Sequence, residues 1–136
     1  MSSCLFCKVK SNELPIKKIA ENTHAIAFLD AFPASHGHCL VIPKEHYSNL
    51  SECDFVTLND VIQLTKEVAT KLENANLGIK GFNYLSNQNE IAGQVIMHFH
   101  MHIIPKYDEE TGIKFSNNKI KNDPILEKKI ESLIIK

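Results

Sequence analysis

The chain has 136 residues, 43% of them hydrophobic, which suits one domain with a single core of ordinary size. Fifteen basic and 16 acidic residues leave a formal charge of −1, so no general attraction to nucleic acid or to a membrane surface is expected. The opening "MSSCLFCKVK" lacks the apolar core of a signal peptide, and no apolar run approaches a membrane span, so the reading is a soluble, cytoplasmic protein.

In a reducing compartment Cys4, Cys7, Cys39 and Cys53 are not expected to form structural disulfides, and Cys39 and Cys53 read as small core residues. A first strand is expected near "LFCKVK". "HAIAFLD" (24–30) and "HCLVIPK" (38–44) read as a hairpin around a loop with Pro33 and Gly37. The period then changes. Phe55, Leu58, Val61, Ile62, Thr65, Val68, Ala69 and Leu72 recur at helical spacing across residues 51–74, with Ser51 as the expected N-cap. "FNYLSN" (82–87) reads as a strand, "NQNEIAG" as a polar loop, and "QVIMHFHMHIIP" (94–105) as a further strand. In "DPILEKKIESLIIK" Asp123 can cap and Pro124 fits the first helical turn. Leu126, Ile130, Leu133 and Ile134 form one stripe. The fold class is α+β: an antiparallel sheet packed on one long helix, with a shorter C-terminal helix.

Three of the seven histidines, His98, His100 and His102, alternate in "MHFHMHIIP". A strand turns alternate side chains to opposite faces, so the three imidazoles share one face, about 6.7 Å apart. Met97, Phe99, Met101 and Ile103 share the other, which should be buried against the helix. Three rings in a row cannot all be protonated without mutual repulsion, so at least one should be neutral near pH 7. A neutral imidazole can act as nucleophile, general base or metal ligand. Just upstream, Gly93 allows close backbone approach and Gln94 supplies amide donors, while Asn87 ends the preceding strand. Such donors beside a nucleophile suit a phosphate under attack.

"HFHMHIIP" resembles the His-φ-His-φ-His-φ-φ signature of the histidine triad (HIT) superfamily, φ being apolar. "CLFCKV" resembles the N-terminal segment of bacterial members, "AFLDAFPASHGHCLVIPKEH" the central hairpin, and "AGQVIMHFHMHIIP" the active-site strand. The resemblance implies a HIT-like fold of about five strands in a single domain, 1–136, with its core at 4–107 and an extension at 108–136. It implies a homodimer that hydrolyses or transfers at the α-phosphorus of a purine nucleotide, either a nucleoside phosphoramidate or a dinucleoside polyphosphate. His100 matches the nucleophile that forms a covalent nucleotidyl-histidine. His98 and His102 would flank it on the phosphate oxygens, His38 would complete the cluster, and Gln94 would sit near the leaving group. Asn87 and Gly93 would contact the phosphate side, Asp30 the ribose hydroxyls, and Phe6, Val9 and Leu14 the base, with ordinary packing a nearly equal reading of Val9 and Leu14. Val95 departs from the family, where many members carry Ser or Thr.

Cys4 and Cys7 form a C-x-x-C that could hold structural zinc, with His46 and His98 as the other two ligands. Some bacterial members resemble this pattern. If His98 binds a metal, it serves to hold the start of the catalytic strand. A redox dithiol or two unliganded thiols are the alternatives. Two rival functions stand beside the leading one: a metal-dependent hydrolase whose three histidines bind catalytic zinc, and a nucleotide-binding scaffold. His24 and His36 read as surface residues.

Overall fold

The computed structural model describes residues 4–135. Its elements, in chain order, are α1 (Cys7–Lys10), β1 (Lys18–Glu21), β2 (Ala25–Leu29), β3 (Cys39–Pro43), α2 (Phe55–Glu73), β4 (Gly81–Leu85), β5 (Met101–Lys106) and α3 (Pro124–Glu131). The strands form one antiparallel sheet in the order β1-β2-β3-β5-β4. Among the described residues no helix is long and apolar enough to cross a membrane.

The hairpin is as its sequence implies, with Phe28 paired to Leu40 and Ile26 to Ile42. Both of its strands are almost wholly buried, because the sheet is covered on both faces. Ala25, Ala27, Cys39 and Val41 face α2, with Phe99 and Ile103 in the same cluster. Ile26, Phe28, Leu40 and Ile42 face the other way and pack with Phe6 and Val9.

The count of five strands holds, but not with the strands first expected. "LFCKVK" is no strand: residues 7–10 coil into α1, which brings Cys4 and Cys7 towards one point. The fifth strand is β1, whose Lys18 and Glu21 are exposed at the sheet edge. Such a short strand, charged at both ends, shows no alternation to read.

The helix α2 starts three residues later than expected. Asp54, not Ser51, caps it by accepting from the Thr57 N–H at 2.7 Å. Its buried stripe is Thr57, Val61, Leu64, Thr65, Val68 and Ala69, whereas Phe55 is 88% exposed and Ile62 47%. Thr65 is buried at no cost in unpaired groups because its hydroxyl donates to Val61 O. His24 is not a bare surface residue, since its Nδ1 lies 2.6 Å from Asp60 Oδ2.

Asp123 caps α3 and Pro124 opens it, but none of its residues is buried: Leu126, Ile130, Leu133 and Ile134 all face solvent. Replacement of Leu64 by Ala should lower unfolding stability by about 2–5 kcal/mol through the cavity it leaves. Replacement of the half-exposed Ile62 should cost well under that, as urea titration of the two variants would show.

Candidate active site

Of the expected 94–105 strand only residues 101–105 join the sheet, within β5. The register pairs Val41 with Met101, so the ladder would next need Ile42 and Pro43. Proline has no N–H to extend it. The Pro43 carbonyl instead accepts from the His98 ring at 2.9 Å, and the Phe99 N–H turns to Tyr47 O. The inward side of the segment remains apolar, with Phe99 and Ile103 in the core and Met101 packed against it, but Met97 is exposed.

Hydrogen-bond partners fix how the rings are protonated. His98 Nε2–H donates to Pro43 O, so its Nδ1 carries a lone pair. His100 Nδ1–H donates to the His98 carbonyl at 2.7 Å, so its lone pair is on Nε2. The Ala34 N–H donates to His38 Nδ1, which places the His38 proton on Nε2. That proton bridges 3.0 Å to His102 Nδ1, leaving His102 with its own N–H on Nε2. Asp30 Oδ2 lies 3.4 Å from the same His38 nitrogen, and Asp30 Oδ1 accepts the Phe32 N–H.

Burial pushes the His100 imidazole below its ordinary value, against the pull of the His98 carbonyl and Asp30. Burial, with the neighbouring His100 and His38, lowers His102 to about 4. Burial also lowers His38, opposed by the Asp30 charge. The cluster is therefore neutral near pH 7.

His100 and His102 line a cavity of about 960 Å³. Leu5, Phe6, Leu14, Ile16, Phe28 and Leu40 form its apolar wall; Asp30, Asn87 and Gly93 add polar groups, and Lys17 is the cation on its lining. The Phe6 ring packs edge-on at 5.2 Å from His100 and 5.8 Å from Phe28. Gly93 has φ +103°, and a Cβ there would lie 3.2 Å from the Asn87 amide, which itself donates to Gly93 O. A glycine is thus needed for both backbone and space.

Four expected site residues do not line the cavity: His38, which reaches it only through His102, and Gln94, Val9 and His98. Gln94 is 2% exposed and does not line the cavity. Its Oε1 accepts the Asn89 N–H and its Nε2 donates to Ser48 O and Ile96 O, so its amide holds the loop together. Val9 packs in the core behind the cavity wall. His98 is fully buried and does not line the cavity.

His98 instead meets the cysteines. Its Nδ1 lies 3.4 Å from Cys4 Sγ, 3.6 Å from Cys7 Sγ and 3.2 Å from His46 Nδ1, and Cys7 Sγ is 3.3 Å from His46 Nδ1. Ordinary Zn–S and Zn–N bond lengths give tetrahedral edges of roughly 3.3–3.8 Å, so these four donors fit one zinc ion with no open position. The His98 second nitrogen is already anchored on a carbonyl, the usual support of a ligating imidazole. The three histidines of the motif do not converge on a common ion. A second close group, Asp30, His38 and His102, is no such site, because His38 Nε2 carries its proton.

Sequence reasoning missed Phe28 and Leu40 as wall residues and the Ala34 amide that sets the relay. The unbroken apolar runs of the hairpin were the available signal, since a strand buried on both faces does not alternate.

The HIT domain profile matches residues 11–109. The chain belongs to the HIT family. It is 41% identical over 111 residues to the adenosine 5'-monophosphoramidase hnt1 of Schizosaccharomyces pombe, covering 82% of this chain and 80% of that one. A solved HIT family member from Bacillus subtilis superposes with a TM-score of 0.84 at 30% identity, over 99% of each chain. A Zn-bound histidine triad family protein from Mycobacterium smegmatis superposes at 0.76 with 27% identity, over 85% of this chain and 84% of that one.

Protonation should report this burial. By ring NMR, His102 should titrate near 4 and His100 below the ordinary 6.5. The unfolded chain binds the His102 proton at about 6.5 and the folded chain only near 4, so the thermal midpoint should fall as pH drops through that window. His102→Asn should remove part of that slope.

Proposed function

We propose that this HIT protein is a nucleotide hydrolase or transferase that works through a covalent nucleotidyl-His100. The observation that carries this reading is the bond from His100 Nδ1–H to the His98 carbonyl, which leaves Nε2 as a free lone pair on a residue that lines the cavity. The S. pombe relative's phosphoramidase activity supports the same reading.

In the first half, His100 Nε2 attacks the α-phosphorus and the bond to the leaving group breaks. In the second half, water attacks phosphorus, the electron pair returns to Nε2, and a nucleoside monophosphate departs. Across both halves one water is consumed: its hydroxyl ends on phosphorus and its proton on the leaving group. Division into two steps is what a covalent nucleophile contributes. His102 Nε2–H hydrogen-bonds the phosphoryl oxygen or the leaving atom, and its charge stabilisation grows as the oxygens become more negative. Asp30 accepts the ribose hydroxyls, Asn87 and Gly93 meet the phosphate, and Phe6 and Leu14 enclose a purine base. The leaving group is an amine or a polyphosphate.

Cys4, Cys7, His46 and His98 would hold structural zinc, which supplies a crosslink between the N-terminal segment and the histidine segment. The apolar, exposed Phe55, Val56 and Ile62 on α2 and Tyr84 on the edge strand suit contact with a second copy in a cytoplasmic homodimer.

His100→Ala should cut kcat/KM for adenosine phosphoramidates on the order of 10⁴-fold or more while AMP affinity changes only a few-fold. Rapid quench and intact mass should show a nucleotidyl adduct on the wild-type chain and none on the variant. Unchanged turnover in the variant would remove the covalent mechanism. Purified protein should also carry one zinc per chain, and chelation should lower its thermal midpoint.

A further inference from the structure

We propose that the four-donor cluster is a positioning device for the active site: occupation by a divalent ion sets nucleotide affinity and the orientation of His100. This rests on the nucleotide-binding part of the reading above, and on hydrolysis only for its turnover consequence.

The first observation is where the ligands sit in the chain. Leu5 and Phe6 lie between Cys4 and Cys7, and both line the nucleotide cavity. Beyond the packing of Phe6 and Val9 on the outer face of the sheet, the segment that carries them has few anchors. Its helix α1 is four residues long, far below what is stable alone. Its backbone hydrogen bonds are local, from Lys8 N to Leu5 O, Val9 N to Phe6 O and Leu14 N to Lys8 O. Its long-range polar links run through the two thiols and an exposed Lys10–Glu45 pair, which screening makes weak. A Phe6 placed by the thiols packs against the rings of His98 and His100 at 5.9 and 5.2 Å.

The second observation is the double engagement of His98. Its ring belongs to the cluster, and its carbonyl holds the Nδ1–H of His100. The stretch from 94 to 100 lies outside the sheet ladder, so strand pairing does not fix that carbonyl. The neighbouring fixed point is the Phe99 N–H on Tyr47 O, and Tyr47 follows His46, the fourth donor. One ion would therefore pin three segments to one another: residues 4–7, 46–47 and 98–100. Two of the three build the nucleotide site. The core between the sheet and α2 lies on the opposite face, and Phe99 and Tyr47 are the residues of the pinned segments that reach it.

The test compares zinc-loaded, chelator-treated and Co²⁺-reconstituted full-length protein, each checked by far-UV circular dichroism. AMP affinity is read by calorimetry, His100 tautomer by ¹⁵N NMR, and thiolate ligation by the Co²⁺ absorption bands. Removal of the ion should weaken AMP binding at least about tenfold. It should also replace the single Nδ1–H signal of His100 with a tautomer mixture; re-added Zn²⁺ should restore both, and Co²⁺ the affinity. In Phe6→Ala, AMP binding should already be weak in the loaded protein and fall little further on chelation, because both changes act on the same wall.

Thiolate-bound Co²⁺ with AMP affinity and His100 signal unaltered by its removal would overturn the inference. So would failure of the chain to bind Zn²⁺ or Co²⁺, or failure of the loaded chain to bind AMP. Metal-dependent AMP affinity without turnover of any nucleotide would uphold the inference and overturn the hydrolase reading. Full turnover with metal-independent AMP affinity would do the reverse.

Discussion

The bond from His100 Nδ1–H to the carbonyl two residues earlier is the constraint on which the rest of the site depends. A neutral imidazole has one proton and two nitrogens, so fixing the proton on one side fixes the lone pair on the other. The bond exists because the chain leaves the sheet before residue 101. Within a regular ladder the His98 carbonyl would face a neighbouring strand. Pro43, with no N–H to offer, ends the pairing with β3, and outside the ladder the His98 carbonyl accepts from the ring.

The same logic extends outward. A backbone amide at Ala34 sets His38, His38 sets His102, and a carbonyl at Pro43 sets His98. Each ring of the His98, His100 and His102 row has one nitrogen committed to such a partner, which leaves the other to act. Burial keeps the group neutral, so the arrangement persists across ordinary pH. Three similar residues thus acquire different roles: one faces the thiols, one presents a lone pair to the cavity and one presents a proton.

The sheet lets both halves coexist by using its two faces for different tasks. Small residues at Ala25 and Ala27 let α2 approach closely and make the core. On the reverse face, Phe28 and Leu40 are left as walls, which Phe6 closes from a separate segment. The apolar stripe of α3 takes no part in either face, although its cap and its periodicity are those of a stable amphipathic helix.

The sequence by itself determined the α+β class, the hairpin, the long helix, the capped C-terminal helix and the family, because each rests on local periodicity, local capping or a contiguous motif. It also named His100 and the four possible metal ligands, since their residue types and spacing are unusual. What only the tertiary structure decided was direction. Whether His98 faces substrate or thiols, whether Gln94 reaches the cavity or ties its own loop, and which face of α2 is buried all depend on partners distant in the sequence. A period of two or of 3.6 says which residues share a face, but the fold chooses what that face meets.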